Sequence, residues 1–187
     1  MTEALLVMDV QNGIFDRFDV PESYLDQVVA AVERAEQAGV LVILVRVAFS
    51  PGHPEISARN KSFSALSDGR SMVFGDPSTE PVARLMRGKG EVVVTKKRVS
   101  AFAGSDLELV LRSNEITTLV LTGIATSGVV LSTVREGADR DYRLIVLEDL
   151  CLDRDEEVHR VLTEKIFPRQ ADVISSADWR PASAAGG

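Results

Sequence analysis

The chain has 187 residues, of which 45% are hydrophobic and 26% are charged, as expected for one globular domain with a substantial core. Its formal net charge of -7, with no basic run longer than 96–98, argues against a nucleic-acid partner. The single cysteine, Cys151, excludes an intrachain disulfide and a zinc-thiolate cluster, and a short apolar N-terminal run with an acidic residue predicts a cytoplasmic protein with no membrane partner.

Strand and helix patterns alternate along the chain. Short apolar runs predict six strands, at 4–10, 40–47, 91–95, 116–123, 143–149 and 171–175. Helical spacing and capping signals predict five helices, at 21–38, 80–87, 105–113, 127–140 and 155–166. This alternation predicts an α/β fold with a parallel sheet between two helix layers. We expect one domain over residues 1–179 and a flexible tail at 180–187.

Residues 48–78 contain three prolines and show no sustained period, so they predict a long loop. Loops of this length in a compact domain are usually functional or mobile, and we expect this one at the rim of a pocket. His53 lies within it and is a candidate pocket residue.

Ligands of open α/β sheets bind outside the carboxyl ends of the strands. Asp9 ends the first strand, Lys96 and Lys97 end the third, and 123–128 ends the fourth. An acid, an amine and a helix N-terminus are therefore expected to converge. Each also has an ordinary structural interpretation, Asp9 as a turn residue and the lysines as exposed charges at a strand end.

The remaining candidates indicate neither a metal nor a cofactor. His53 and His159 lack a second histidine or an acid at metal-ligand spacing, so no metal site is predicted. Neither GxGxxG nor GxxxxGK[ST] occurs, so no nucleotide cofactor is predicted. Cys151 follows the predicted fifth strand, where a buried and inert thiol is the leading interpretation.

Three segments resemble the isochorismatase-like, or cysteine hydrolase, superfamily: LLVMDVQNGIF, VVVTKKRVSAFAGSDLELVLR and LVLTGIATSGVVLSTVREGADRDYRLIVLEDLCLDRDEEVHRVL. The resemblance spans about residues 4–175. It implies a Rossmann-like three-layer α/β/α fold with a six-stranded, mostly parallel sheet, and a triad of aspartate, lysine and cysteine. The aspartate corresponds to Asp9, and the lysine to Lys96, four positions before Ser100 of the SAF motif, so that Lys97 is expected to turn away.

The resemblance breaks at the nucleophile. The amidase motif GxATDxCVxxT, laid over GIATSGVVLST, places Val129 on the cysteine and Ser127 on the aspartate. The family also implies a non-proline cis peptide at Ile124–Ala125, and we expect Ser127 to cap the following helix. Expected residues of the substrate pocket or oxyanion site are Gln11, Phe15, Phe102, Ile124, Ala125, Thr126 and Gly128. The metal of some nicotinamidases in the family is not implied, because the paired histidines after the second strand are missing.

Three functional hypotheses follow from the missing thiol. The first is a hydrolase without a covalent thiol intermediate, acting on a vinyl ether of the isochorismate type with Asp9 as general acid. The second is a non-catalytic member that binds a ligand or partner. The third is an amidase with Ser127 or Ser132 as substitute nucleophile. The resemblance further implies a small-molecule ligand and a homo-oligomer.

Overall fold

A computed structural model describes residues 2–18, 20–66, 70–88 and 91–182. Six parallel strands form one sheet: β1 Thr2–Met8, β2 Leu41–Val47, β3 Val92–Lys96, β4 Ile116–Ile124, β5 Arg143–Leu152 and β6 Asp172–Ile174. Their spatial order is β3-β2-β1-β4-β5-β6. The predicted α/β fold with a parallel sheet is confirmed. The order of the strands reverses between β1 and β4, which is where such sheets bind ligands.

The helices are α1 Asn12–Phe15, α2 Glu22–Gln37, α3 Leu107–Ser113, α4 Leu131–Asp139 and α5 Glu156–Val161. Wide π turns precede α4 at Thr126–Val130 and follow α5 at Leu162–Ile166, after which Phe167–Arg169 forms a 3-10 turn. Further 3-10 turns lie at Ser64–Leu66, Pro77–Thr79 and Ala83–Leu85.

The central strand β1 is buried on both faces. Ala4, Leu6 and Met8 belong to the apolar cluster that also contains residues of α3 and α4, whereas Leu5 and Val7 belong to the cluster that contains the buried face of α2. Because successive side chains of a strand point to opposite faces, a continuous apolar run can fill two cores at once.

The helix predicted at 80–87 is wrong, because only Ala83–Leu85 forms a single 3-10 turn there. The start of the segment pairs with the chain after β1 instead: Gln11 and Pro81 form an isolated bridge, and the Val82 N–H donates to the Val10 carbonyl at 3.1 Å. The helix predicted at 105–113 begins two residues later, at Leu107. Asp106 is the N-cap residue of α3, and the Ser105 hydroxyl accepts the Leu107 N–H.

The fifth strand is longer than predicted, so Cys151 lies inside β5 rather than after it. Its partner across the sheet is Gly123 of β4, beyond a register shift that follows Leu121 and Val146. The predicted strand at 143–149 ends at Asp149. Asp149 instead accepts hydrogen bonds from Ser176, and the strand continues past it.

We expect Cys151 to be unreactive in the native protein. The residue is only 2% exposed, and burial raises the pKa of its thiol to about 12, so little thiolate forms near neutral pH. Iodoacetamide should leave the folded chain unmodified and add one adduct after denaturation, as measured by intact mass. An adduct on the native protein would show that the thiol is accessible.

The segment at 48–78 is a long loop in its described part, with only short turns and an isolated bridge between Phe49 and Val73. Within the described ranges, no helix has both the length and the apolar character needed to cross a membrane. Of the predicted tail, residues 183–187 lie outside the described residues, and the N–H of Ala182 donates to Glu3 at 3.0 Å.

Candidate active site

Asp9 lies at the carboxyl edge of the sheet, directly after β1. Its backbone has a φ of 59°, in the left-handed region that aspartate tolerates better than most residues. The Asp9 N–H donates to the Val45 carbonyl of β2 at 2.8 Å. This bond holds the Asp9 backbone beside β2 and so fixes the position from which its side chain extends.

Lys96, the last residue of β3, forms a buried ion pair with Asp9. Its Nζ lies 2.9 Å from Asp9 Oδ2, and the two side chains are 2% and 7% exposed. The same Nζ donates to the carbonyls of Arg98 at 2.9 Å and Val99 at 3.1 Å. An ammonium has three N–H donors, and all three have acceptors here, so no donor of this buried group lacks a partner.

The two oxygens of the Asp9 carboxyl group have different surroundings. Oδ2 accepts from Lys96, whereas Oδ1 is buried and has no hydrogen-bond partner among the described residues. Burial raises the pKa of Asp9, and the charge and hydrogen bond of Lys96 lower it by less. A protonated Asp9 would therefore carry its proton on Oδ1, which suits a general acid.

The end of β4 approaches β1 beside Asp9. Gly123 is paired with Met8 and has a φ of 145°, and a Cβ at this position would lie 2.2 Å from the Met8 carbonyl oxygen. Only glycine therefore allows so close an approach. The next peptide bond, Ile124–Ala125, is cis, as the family resemblance implies.

Val129 lies in the π turn before α4, where the family motif has its cysteine. The side chain is 2% exposed and belongs to the buried cluster that also contains Ala101 and Phe102. A valine has no nucleophilic atom, and here it fills the core.

The predicted cap at Ser127 is wrong. Ser127 lies inside the first turn, with Ala125 at the N-cap position and no side-chain cap from that residue. Its N–H donates to Asp153 Oδ2 at 2.7 Å, so a carboxylate from the loop after β5 caps the helix. The Gly128 N–H donates to the Ala125 carbonyl at 3.1 Å. The N–H groups of Ser127 and Gly128 therefore already have acceptors.

Thr126 forms a contact that sequence reasoning missed. Its Oγ1 lies 2.9 Å from His159 Nδ1 of α5, and Thr126 is fully buried. The two residues are 33 positions apart, and no spacing rule links them. Only the family motif, which contains the threonine, drew attention to this position.

The other predicted pocket residues have structural contacts. The Gln11 side chain exchanges hydrogen bonds with the backbone of Val47 and also donates to the Ser78 carbonyl. Phe15 packs near Tyr24, with ring centroids 6.5 Å apart. Phe102 is buried and stacks on Tyr142 at 5.9 Å, beneath the guanidinium of Arg140.

Lys97 turns away from Asp9 and fastens the long loop. Its Nζ donates to the Ala48 carbonyl and lies 3.6 Å from Glu55 Oε1, while Arg98 donates to the Glu55 carbonyl at 2.8 Å. The residues directly after Lys96 therefore have two roles. Their carbonyls accept from the Lys96 ammonium, and the side chains of Lys97 and Arg98 bond the loop at 48–78.

His53 is buried in that loop, where its ring packs on Phe49 and its Nδ1 lies 2.6 Å from the Leu66 carbonyl. Within the part of the chain that the structure describes, no group of three histidine, cysteine or acidic side chains is placed to hold a metal ion.

The site is closed in this conformation. Asp9, Lys96, Thr126 and Val129 are each at most 5% exposed. A cavity of about 800 Å³ is instead lined by the starts of strands at the opposite edge of the sheet, including Thr2, Leu41 and Ile116. Access to Asp9 therefore requires a local movement.

Comparison with known proteins identifies the family. The Isochorismatase domain matches residues 3–178. Over 180 residues the chain is 35% identical to the isochorismatase family protein YecD of Escherichia coli O157:H7, covering 93% of this chain and 92% of that protein. Over 168 residues it is 34% identical to the ureidoacrylate amidohydrolase RutB of Klebsiella pneumoniae, covering 78% of this chain and 71% of that protein.

Solved structures agree. An isochorismatase family protein from Burkholderia thailandensis superposes with a TM-score of 0.81 at 29% identity, covering 95% of this chain and 93% of the other. The N-carbamoylsarcosine amidase from Thermoplasma acidophilum gives a TM-score of 0.80 at 27% identity, covering 96% and 99%. The chain therefore belongs to the isochorismatase-like, or cysteine hydrolase, family.

Proposed function

We propose that the protein is a hydrolase that acts without a covalent thiol intermediate on a small-molecule vinyl ether of the isochorismate type, with Asp9 as the general acid. The observation that carries the proposal is the Asp9 carboxyl group, whose Oδ2 is held by Lys96 while its buried Oδ1 has no partner among the described residues.

In the proposed reaction, Asp9 donates the proton on Oδ1 to the terminal vinyl carbon, and an oxocarbenium ion forms at the ether carbon. Water adds to this carbon, and the hemiketal collapses to a ketone and an alcohol. Lys96 keeps the carboxyl group oriented through the 2.9 Å contact. General acid catalysis contributes about 10²- to 10⁴-fold, so pocket electrostatics must supply the rest.

Three features speak against amidase chemistry, although two relatives are named as amidases. Val129 occupies the position of the thiol, and the N–H groups of Ser127 and Gly128 already have acceptors. Ser127 is exposed, and His159 bonds Thr126 rather than Ser127 or Ser132. An unactivated serine is a poor nucleophile.

A non-catalytic, ligand-binding member is the second candidate. It is favoured by the closed site, in which Val129 packs into the core and Asp9 is only 5% exposed. Homo-oligomerisation stays a prediction from the family resemblance.

We expect the purified protein to release pyruvate from isochorismate. The measurement is the oxidation of NADH by lactate dehydrogenase coupled to pyruvate formation. The acid is tested by Asp9→Asn, and Asp26→Asn is its matched control. Asp26 is an exposed carboxylate paired with Arg84 on the surface. Turnover by Asp26→Asn should equal that of the wild type. A rate no higher than that of isochorismate in buffer would remove the isochorismatase assignment and favour the binding protein.

A further inference from the structure

A second polar pair, Thr126 and His159, lies at the same edge of the sheet as Asp9. β4 is the neighbour of β1, and Gly123 of β4 is paired with Met8, the residue before Asp9. Thr126 follows the end of β4 by two residues. Thr126 therefore follows the carboxyl end of β4, next to the end of β1 that carries Asp9.

His159 is held firmly by its own helix. The Asp155 side chain caps α5 by accepting the N–H groups of Glu157 at 2.9 Å and Val158 at 3.2 Å. The His159 carbonyl accepts the Thr163 hydroxyl at 3.0 Å. With the backbone of α5 fixed in this way, the imidazole is well suited to hold one orientation of the Thr126 hydroxyl.

The bond between Thr126 and His159 joins two elements. A threonine inside a helix can bond a backbone carbonyl one turn earlier, as Thr163 does with the carbonyls of His159 and Arg160. Thr126 is the first residue of its turn, with Ala125 at the N-cap position, so no helical turn precedes it. Its hydroxyl bonds the half-buried side chain of His159 from another element. The contact therefore fixes the direction of a hydroxyl group, as a site for a small polar reactant requires.

We propose that the Thr126 hydroxyl orients the water that adds to the oxocarbenium carbon, and that His159 is the positioning residue that fixes this hydroxyl. The inference rests on the proposed function. In this step the water oxygen forms a bond to the ether carbon, and one water proton passes to the Asp9 carboxylate, which regenerates the acid. The carbon–oxygen bond of the hemiketal then breaks, and the hemiketal hydroxyl proton passes to the departing alcohol.

The proposal predicts an effect that a structural role would not produce. If water is poorly oriented, the oxocarbenium ion persists and can return a proton to Asp9, which restores the vinyl ether. In D2O the restored substrate then carries deuterium on its vinyl carbon. The wild type should place deuterium in the product methyl group and almost none in the recovered substrate.

The experiment measures turnover and deuterium in recovered isochorismate for four variants: Thr126→Val, Thr126→Ser, His159→Ala and His159→Asn. Thr126→Val keeps the shape and removes the hydroxyl, and we expect kcat to fall by about 10-fold with deuterium exchange into substrate. His159→Ala should show the same exchange. Thr126→Ser keeps the hydroxyl, and the amide of His159→Asn can supply a hydrogen bond near the Nδ1 position, so both should suppress the exchange. Thermal melts identify any variant that fails to fold.

Arg160→Ala is the control on the same helix, because the Arg160 side chain is 43% exposed and pairs with Glu157 and Glu164. It should match the wild type in rate and isotope content. Wild-type turnover together with no exchange in either Thr126→Val or His159→Ala would overturn the inference and leave the proposed function standing. No turnover by the wild type would overturn the proposed function and the inference with it.

Discussion

Replacement of Asp9 by asparagine is expected to lower the turnover of isochorismate by about 10²- to 10⁴-fold, the usual contribution of a general acid. Asparagine has nearly the same shape, and its carbonyl oxygen can still accept from Lys96. It cannot donate a proton to carbon. The coupled pyruvate assay measures the loss, and undiminished turnover would remove Asp9 from the mechanism.

The variant also needs a test of folding, because it leaves the Lys96 ammonium buried without a carboxylate. Breaking a buried ion pair costs about 3 to 5 kcal/mol of unfolding free energy, less the part that the asparagine carbonyl recovers. The double variant Asp9→Asn/Lys96→Met removes both charges. We expect it to regain most of the lost unfolding free energy, measured by urea denaturation, while turnover stays as low as in Asp9→Asn.

The direction of the Asp9 pKa supports this expectation. Burial raises the pKa of the folded state above its ordinary value. The stability contributed by this group is therefore fully present below the unfolded pKa and is lost as the pH rises through the folded pKa. At neutral pH the acid costs stability, so a neutral pair in its place should not weaken the fold. A double variant that stays as unstable as Asp9→Asn would show that the pair supports the fold.

The sheet and the acid–amine pair could be predicted from sequence because both depend on local signals. Apolar runs identify buried strands, and the carboxyl ends of parallel strands share one edge, so Asp9 and Lys96 had to lie at the same side of the sheet. The lateral order of the strands had no such signal. Lys96 and Asp9 meet although β2 lies between their strands.

The contacts around the start of α4 could not be predicted, because each joins residues that only the fold brings together. Ser127 satisfied the rule for a capping residue, yet the helix begins one residue earlier, and Asp153, 26 positions away, supplies the cap. His159 had no acid or histidine at a meaningful spacing, and its partner is the buried hydroxyl of Thr126. Capping rules describe what a helix end needs, not which residue supplies it.

The burial of the site links these contacts to function. A carboxyl group can act as an acid near neutral pH only if burial outweighs the effect of a nearby cation. Asp9 is buried and contacts the Lys96 ammonium, and burial has the larger effect on its pKa. The same burial leaves little of the site exposed, and a position of the loop at 48–78, held by Lys97 and Arg98, at the rim of the pocket stays a prediction.

Replacement of Lys96 by methionine is expected to move the pH profile of kcat/KM toward higher pH. In the wild type, kcat/KM should fall by about tenfold per pH unit above the pKa of Asp9, because the acid must be protonated. Lys96 lowers this pKa through its charge and its hydrogen bond. Methionine removes both effects, so protonated Asp9 persists to higher pH. The plateau should fall by about 10-fold, because the carboxyl group loses the contact that orients it.

Lys97→Met is the matched control, since Lys97 has the neighbouring position in sequence but contacts Ala48 and Glu55 rather than Asp9. It should leave the alkaline limb of the profile unchanged, even if the loop that it fastens alters KM. The competing possibility is that the Lys96 ammonium is itself the proton donor. In that case Lys96→Met would lose turnover as completely as Asp9→Asn and would have no shifted limb. A limb displaced to higher pH in Lys96→Met alone identifies Asp9 as the acid and Lys96 as the residue that sets its pKa.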